Sequence, residues 1–363
     1  MPPPGPRHSG FNGSGAHSLC TRRCRHLSYR FGNSDVEIGR GSIEVQTLIN
    51  ALGPDSDPVA VDIDTRGSGR REGDKCKVFL RVLPYKPFAI KTFFLIRHGQ
   101  SVWNAAQAGV MVHEMMGDTD HPLSHLGITQ CNELAKAWKA TVAEMKAKKG
   151  TPEYKAAEWG MVEAFLEADV VCSSPLVRAV QTAWIGLEGH PTFSKEALVL
   201  TTSIRECKKS IGGLDTMSHC NGAEVADRAL ECLEKELGAL AVNYKPSAGI
   251  DPGDAATGRW WTPGHRAETE LEYTSRFHET WCDLKYRDFA SAILVGHSYF
   301  FRDLFVRYLA QHVTLHDPDK AKELQKKKMQ NAGCVAIQVD FSRDGVDPVI
   351  VHAEPMFGCQ FVS

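Results

Sequence analysis

The chain has 363 residues, and 42 Lys and Arg against 44 Asp and Glu leave a formal net charge of −2. This near-neutrality argues against a nucleic-acid or polyanion binder, because such proteins carry a basic excess or a basic stripe. Hydrophobic residues make up 42% of the chain, so a core of ordinary size can form. No apolar run approaches the ~20 residues that cross a bilayer, and eleven scattered cysteines favour a reducing compartment over a disulfide framework.

The first segment, residues 1–34, is rich in Pro, Gly, Ser, Arg and His and precedes the first acidic residue, Asp35. We expect this segment to form a disordered tail. Its five arginines are also compatible with an organellar transit peptide, an alternative that we keep beside the preferred cytoplasmic location.

The next segment, residues 35–90, is predicted to form a small β-rich extension, because Gly, Pro and Asp separate short runs of β-branched residues. It resembles the last strands of a calcium- and lipid-binding β-sandwich of the protein kinase C type, in the stretches IGRGSIEV, DPVAVDIDTRG and DKCKVFLRVLP. Asp35 and Glu37 are too few for the roughly six to eight oxygen ligands that Ca²⁺ prefers. We therefore expect no membrane contact through this extension, which would instead pack against the following domain.

From Lys91 onward, short apolar runs alternate with amphipathic patterns, which is typical of a doubly wound α/β domain over residues 91–363. Ser124 is a predicted helix cap for a helix that runs to about Thr141. A solvated helix is predicted over Asp317–Gly333, with its lysine run complementing the helix dipole rather than binding a ligand. The predicted strands are Thr92–Ile96, Asp169–Cys172, Leu198–Thr201, Ser291–Val295 and Gly333–Val339.

The first candidate site segment is FFLIRHGQSVWN, in which an apolar strand leads directly into Arg97-His98-Gly99. The rigid guanidinium fork of Arg97 suits a phosphate group, and His98 beside it is an imidazole in a cationic field. Gly99 allows the backbone to approach a ligand closely, and Asn104 adds a neutral donor. Ligands of α/β sheets bind at the carboxyl ends of strands, so this segment is a candidate binding site.

Two later strand ends carry similar side chains. After the second predicted strand, Ser174 is expected to cap a helix with Pro175 at its first position, which would leave free N–H groups for an anion. Arg178 lies one turn into that helix. After the fourth predicted strand, His297 precedes Ser298, another expected helix cap. Each feature alone is more often structural, but together they predict one anion site at one edge of the sheet.

These residues make the sequence similar to the histidine phosphatase superfamily, also called the phosphoglycerate mutase-like family. The hallmark of that family is an Arg-His-Gly motif after the first strand, followed later in the chain by a second arginine and a second histidine. Arg97-His98-Gly99, Arg178 and His297 match this hallmark in the same order.

Further landmarks extend the resemblance to about residues 91–355. Residues 120–130, DHPLSHLGITQ, resemble the family's D-x-PLT-x2-G-x2-Q helix start, and residues 173–183 read SSPLVRAVQTA. The second histidine is followed by Ser298, Tyr299 and Phe300, where many members have glycines. Narrowing of the pocket mouth is one role open to the two aromatic side chains, and core packing is the role that we prefer. The resemblance implies a three-layer, doubly wound, mostly parallel sheet of the phosphoglycerate mutase-like type.

The resemblance also implies a mechanism in which His98 attacks phosphorus as a neutral imidazole and becomes a phosphohistidine that water hydrolyses. Arg97, Arg178 and His297 would hold the phosphoryl oxygens, with help from Asn104. Two arginines and one protonated histidine would balance the charge of roughly −2 on a phosphate monoester. This interpretation requires no metal ion and no cofactor, and the expected partner is a small phosphorylated substrate rather than a nucleic acid.

Members of the family commonly protonate the leaving group with a carboxylic acid that follows an arginine after the third strand. Arg205-Glu206 fits that position, so Glu206 is implied as general acid in the first step and general base in the second. Burial near the phosphate would have to raise its pKa. Asp215 is the reserve candidate, and a surface Arg–Glu pair without a catalytic role is the alternative.

Three functions stay open from the sequence, and it predicts no particular oligomeric state. A metal-independent phosphomonoesterase is preferred, because residues 205–209 read RECKK where glycolytic mutases have Glu-Arg-x-Tyr-Gly, and residues 211–290 contain no Arg-Arg pair. A mutase, which returns the phosphoryl group to a bound product, is the second possibility. The third is a catalytically silent phosphate-binding module whose β-rich extension docks a partner.

Overall fold

The computed structural model describes residues 88–208, 213–222, 224–245, 248–255, 259–264, 266–342 and 347–362, together with four short strands nearer the N-terminus. Its contacts divide the chain into two compact units, Met1–Lys86 and Pro87–Ser363.

The four N-terminal strands form two antiparallel pairs in the first unit. They are β1 (Tyr29–Phe31) with β2 (Ser34–Val36), and β3 (Val59–Asp64) with β4 (Lys75–Leu80). Apart from β1 and the first residue of β2, the predicted tail over residues 1–34 lies outside the described residues.

The second unit alternates strands with helices. Its strands are β5 (Ile90–Arg97), β6 (Val170–Ser173), β7 (Leu198–Leu200), β8 (Ile250–Asp251), β9 (Ser291–Gly296), β10 (Lys328–Met329), β11 (Cys334–Asp340), β12 (Val349–Met356) and β13 (Phe361–Val362). Its helices are α1 (Val102–Ala108), α2 (Val112–Met116), α3 (His125–Lys148), α4 (Ala156–Leu166), α5 (Val177–Gly186), α6 (Glu224–Leu237), α7 (Glu270–Tyr286), α8 (Ser298–Tyr308), α9 (Gln311–His316) and α10 (Pro318–Lys326). Within the described segments, every helix is too short or too polar to span a membrane.

Seven strands form one mixed sheet in the order β12-β11-β5-β9-β6-β7-β8. The pairs from β5 to β8 are parallel, whereas β11 runs antiparallel to both of its neighbours. Arg97 pairs with Gly296, and Ser173 pairs with Val295. Because these strands are parallel and in this register, the segments that follow β5, β6 and β9 all begin at the same edge of the sheet.

The sheet is covered by helices on both faces, as the alternation of side chains along β5 shows. Phe94 and Ile96 belong to one core cluster, which also includes buried residues of α3, α4, α5 and α6. Phe93 and Leu95 belong to the other cluster, with residues of α7, α8 and α10. Successive residues of a strand point to opposite faces, so one strand supplies both cores. The predicted three-layer, mostly parallel α/β fold is confirmed.

Ser124 caps α3 as predicted, because its hydroxyl accepts the Gly127 N–H at 3.1 Å. The helix continues past Thr141 to Lys148, since Val142 and Met145 extend its buried face. These two residues continue the helical repeat of buried positions beyond Thr141, although most of their neighbours in the sequence are charged or polar.

The prediction of one helix over 317–333 is wrong. Helix α10 ends at Lys326, and β10 follows it and pairs antiparallel with β13 near the C-terminus. Met329 of β10 is buried. Strand pairing with a segment more than thirty residues further along the chain therefore overrides a local pattern that reads as polar helix.

Candidate active site

The Arg-His pair after β5, the arginine in α5 and the histidine after β9 converge at one edge of the sheet. The rings of His98 and His297 lie with centroids 5.0 Å apart. Arg97 and Arg178 lie close enough for their positive charges to act on both imidazole rings. All four side chains are buried. Residues separated by up to two hundred positions thus form one cluster, as the strand-end argument predicts.

A cavity of about 500 Å³ opens beside this cluster, which is within the usual size range for small-molecule sites. Most of the predicted site side chains line it, together with the reserve candidate: Arg97, His98, Asn104, Arg178, Glu206 and Asp215. His297 differs from these residues, because it is fully buried and is not among the residues that line the cavity. It reaches the site through its contact with the His98 ring.

His98 is held in one tautomer. Its Nδ1 lies 2.6 Å from the carbonyl oxygen of Gly99, and a carbonyl can only accept, so Nδ1 carries the proton and Nε2 keeps a lone pair. Burial, followed by the charges of Arg178 and Arg97, holds the pKa of His98 well below its usual 6.5. The imidazole is therefore neutral and has a nucleophilic nitrogen at physiological pH.

The two arginines are anchored by backbone carbonyls more than by carboxylates. Arg97 donates to the carbonyl of Met329, and its buried Nε has no hydrogen-bond partner among the described residues. Burial lowers the pKa of Arg97 to about 10. Arg178 donates to the backbone carbonyl of Asp215 at 2.6 Å, while the carboxylate of that residue is 3.5 Å away. The cationic charge of this pair is only partly matched, which suits an anionic ligand.

His297 lies 2.8 Å from the hydroxyl of Ser174 through Nε2, and its buried Nδ1 has no partner within the described part of the chain. Burial, and then the charge of Arg178, holds the pKa of His297 well below 6.5. The protein alone therefore favours neutral His297, whereas the sequence-based charge balance included one protonated histidine. A bound dianion would oppose this effect, because a nearby negative charge raises the pKa of an imidazole.

Glu206 is buried at the wall of the cavity rather than in a surface pair. Its carboxyl accepts the Cys207 N–H at 2.9 Å. Burial raises the pKa of Glu206 above its usual 4.5, which is the property that a general acid needs near neutral pH.

A buried ion pair holds the segment that carries Glu206. Arg276 donates to both carboxylate oxygens of Glu268, at 2.6 and 2.7 Å, and to the carbonyls of Ser203 and Arg205, at 2.9 and 2.8 Å. Bidentate pairs of this kind fix geometry as well as charge. Arg276 therefore positions the backbone on both sides of residue 204, directly before Glu206.

The predicted anion site at the start of α5 is wrong in detail. The helix begins at Val177, so Ser174 and Pro175 precede its first turn. The Val177 N–H donates to Asp120 at 2.9 Å, so a carboxylate of the chain itself occupies this helix end. Burial raises the pKa of Asp120 to about 7. Ser174 instead contacts His297.

Two other local expectations also change. Helix α8 begins at Ser298, with His297 at the cap position and no side-chain cap hydrogen bond. Gly99 is required by a neighbouring backbone, because a Cβ there would lie 2.6 Å from the carbonyl oxygen of Gly127. Asn104 lines the cavity, but its amide oxygen also accepts the Ser101 N–H at 3.3 Å in the cap of α1.

The cavity is also lined by residues that the sequence did not assign to the site: Trp103, Gln107, Ala108, Cys207, Lys208, Gly213, Thr216, Ser298, Tyr299 and Lys328. Core packing was preferred for both Tyr299 and Phe300, but only Phe300 is in the core, while Tyr299 lines the cavity as the alternative stated. Adjacent residues at the start of a helix point in different directions, so the pair divides between cavity and core. The signal for Tyr299 was its position three residues after Gly296, the last residue of β9.

The segment that carries Arg97 and His98 is similar to a known protein family. Residues 93–145 match the model of the histidine phosphatase superfamily, branch 1. The resemblance to this superfamily is confirmed. The matched segment includes Arg97, His98 and the start of α3.

Three solved structures illustrate similar proteins. A mycobacterial glucosyl-3-phosphoglycerate phosphatase is 16% identical, over 72% of this chain and 97% of its own, with a TM-score of 0.37. A phosphoglycerate mutase from Bacillus anthracis is 15% identical, over 74% and 93%, with a TM-score of 0.38. A putative alpha-ribazole-5′-P phosphatase from Escherichia coli is 15% identical, over 72% and 97%, with a TM-score of 0.36. No curated protein matches the chain.

Proposed function

We propose that this chain is a phosphoric monoester hydrolase that forms a phosphohistidine on His98 and needs no metal ion. The observation that supports this most strongly is the state of His98. It is neutral and buried, its Nδ1–H is directed to a carbonyl, and Arg97 and Arg178 lie in its surroundings. A nucleophile whose free nitrogen lies among incompletely matched cations is suited to attack a phosphate monoester.

In the first step, Nε2 of His98 attacks phosphorus, and the bond between phosphorus and the ester oxygen breaks. Glu206 gives its proton to the departing oxygen, so the product leaves as an alcohol. The hydrogen bond from Nδ1 to the Gly99 carbonyl stabilises the positive charge that the ring acquires. Arg97 and Arg178 balance the charge on the phosphoryl oxygens, and Asn104 adds a neutral hydrogen bond.

In the second step, a water oxygen attacks the phosphoryl group and Glu206 takes the proton of that water. The nitrogen–phosphorus bond breaks, and its electron pair returns to Nε2 of His98. Ester and water thus become alcohol and inorganic phosphate. We assign to His297, which reaches the site through its contact with the His98 ring, an electrostatic role toward the phosphoryl group. Its Nδ1 has no hydrogen-bond partner within the described residues, and a bound dianion would stabilise a second proton on the ring.

The assay that tests this proposal is hydrolysis of para-nitrophenyl phosphate in the presence of EDTA. We expect turnover without added metal and a loss of about 10³-fold or more in His98→Ala, because the nucleophile is gone. His113→Ala is the matched control, since His113 is exposed and lines a different cavity. A ³²P-labelled donor should label the wild-type protein with an acid-labile, base-stable bond.

Other outcomes identify the alternatives. Conversion of 3-phosphoglycerate that depends on 2,3-bisphosphoglycerate as primer, without net hydrolysis, would indicate a mutase. Absence of both turnover and labelling across a panel of monoesters would contradict the proposal and leave a silent binding module. Activity that EDTA abolishes and a divalent ion restores would contradict the metal-independent route.

A further inference from the structure

The end of β9 brings a polar side chain to the cavity that the proposed mechanism does not use. His297 is fully buried and is not among the lining residues, whereas the next two residues, Ser298 and Tyr299, line the cavity. Ser298 is buried at the start of α8, and Tyr299 is only half-buried. Many members of the family have glycines after the second histidine, so the resemblance assigns no role to a side chain at position 299.

Two cations hold the ring of Tyr299. The Lys328 ammonium lies 4.7 Å from the ring centroid, and the central guanidinium carbon of Arg302 lies 5.0 Å from it. Cation–π contacts of this kind orient a ring through its face and not through its hydroxyl group. The phenol therefore has a defined position, which is what a group that acts on a transition state needs.

Tyr299 adjoins two groups of the proposed mechanism. Burial lowers the pKa of Arg97, and Glu206 and Tyr299 are nearby groups that oppose this shift. Burial raises the pKa of Glu206, and hydrogen bonds from the backbone N–H groups of Cys207 and Tyr299 oppose that shift. The backbone of Tyr299 thus contacts the acid, while its phenol lies near the arginine that holds the phosphoryl oxygens.

The transition state of phosphoryl transfer spreads negative charge over three equatorial oxygens. In the proposed mechanism, the donors that line the cavity come from the segments after β5 and β6, and they are Arg97, Asn104 and Arg178. The segment after β9 contributes His297 only through its contact with the His98 ring. A hydroxyl donor from this segment would add direct contact with a phosphoryl oxygen.

We propose that Tyr299 is a further catalytic residue, whose phenol O–H donates a hydrogen bond to a phosphoryl oxygen in the transition state. This role rests on the proposed function, and it gives the end of β9 a direct contact that buried His297 does not make. No bond to Tyr299 forms or breaks, and the phenol keeps its proton through both steps.

The test compares Tyr299→Phe with the wild type on para-nitrophenyl phosphate and on glycerol 3-phosphate. The substitution keeps the ring that the two cations hold and removes only the hydroxyl group. We expect kcat/KM to fall by about 10- to 100-fold, through kcat rather than KM, because the hydrogen bond strengthens in the transition state. The loss should be equal for both substrates, since they share the phosphoryl group. Tyr308→Phe is the matched control, because Tyr308 is half-buried on the same helix and does not line the cavity.

Equilibrium binding measures the same contact without turnover. Orthovanadate imitates the five-coordinate transition state of phosphoryl transfer, whereas inorganic phosphate imitates the ground state. In calorimetric titrations, we expect Tyr299→Phe to bind orthovanadate at least about tenfold more weakly than the wild type does. The affinity for inorganic phosphate should change much less.

Three kinetic results would overturn the role of the phenol. They are an unchanged kcat/KM in Tyr299→Phe, an equal loss in Tyr308→Phe, and a loss confined to glycerol 3-phosphate. The last result would place the effect in Glu206, because para-nitrophenol departs without a proton. Failure of the proposed function is a separate result, in which the wild type hydrolyses neither substrate. Weaker orthovanadate binding by Tyr299→Phe would then still support the phenol contact, and equal or absent binding in both proteins would overturn it.

Discussion

The second unit contains two buried arginine clusters that are built in opposite ways. In the first, Arg276 uses its guanidinium on both oxygens of Glu268 and on the carbonyls of Ser203 and Arg205. Its charge meets a buried carboxylate at 2.6 Å. This cluster resembles a structural ion pair, with a matched charge and its donors satisfied.

In the second cluster, at the cavity, the charges are matched only in part. Arg97 donates to a backbone carbonyl, and its Nε has no partner in the part of the chain that the structure describes. The carboxylate of Asp215 lies 3.5 Å from Arg178. Burying unmatched charge destabilises a fold. The comparison indicates that the first cluster maintains the geometry of the site, and the partly matched charge of the second supports the proposal that this site binds an anion.

The largest effect is expected from Glu206→Gln. Glu206 directly follows the backbone that Arg276 holds, and it lines the cavity in which the proposed ligand binds. Hydrolysis of alkyl phosphates should fall by about 10²–10⁴-fold. Para-nitrophenyl phosphate should be affected less, since its leaving group departs without a proton. Comparing kcat/KM for both substrate types checks this, and equal losses for both would contradict a general-acid role.

The pH dependence of kcat/KM tests the same general-acid role of Glu206. Burial raises the pKa of Glu206, and the first step needs the protonated acid, so kcat/KM for alkyl phosphates should fall as pH rises through that raised pKa. The lowered pKa of His98 places the loss on the acid side below 6.5, where the nucleophile gains a proton. In Glu206→Gln the alkaline fall should disappear while the acid fall remains.

Glu268→Gln should break the matched cluster by leaving Arg276 buried with an uncompensated charge. We expect a loss of about 3–5 kcal/mol in the free energy of unfolding, measured by urea denaturation. Glu133→Gln is the control, because it removes only an exposed pair with Lys136 and should change stability little. Similar losses in the two variants would show that the buried pair is not structural.

In contrast to Glu268→Gln, Arg97→Met should lower activity without lowering stability. We expect kcat/KM to fall by about 10²–10³-fold, because one group that stabilises phosphoryl charge is lost. The free energy of unfolding should stay the same or increase, since burial already lowers the pKa of Arg97 to about 10. If Arg97→Met destabilised the protein as much as Glu268→Gln, both clusters would be structural, and the proposed difference between them would be wrong.

The smallest effect is expected from Asp120→Asn, which probes the other carboxylate near Arg178. Burial raises the pKa of Asp120 from 3.8 to about 7. The folded state then binds more protons than the unfolded state, so stability from this group falls as pH rises through that range, by at most about 1.4 kcal/mol per pH unit. The variant keeps an oxygen for the Val177 N–H and should lose less stability over this range than the wild type. Parallel pH–stability curves for the two proteins would contradict the prediction.

The sequence alone identified the parallel sheet and the residues that converge at its edge. The five predicted strands correspond to β5, β6, β7, β9 and β11, because apolar runs of strand length are local signals. Parallel strands present their carboxyl ends at one edge, so Arg97, His98, Arg178 and His297 could be grouped before any coordinates were known. The position of Glu206 followed from the resemblance to the family.

Tertiary structure decided the features that depend on distant neighbours. Lys328 lines the cavity because β10 pairs with β13, and a local helical pattern cannot reveal a partner so far along the chain. Asp120 occupies the start of α5 because two separate segments meet there. The neutral state of His297 and the unequal matching of Arg97 and Arg276 arise from burial and from charges summed over several elements. Such sums depend on distances in space, which composition and spacing along the chain do not contain.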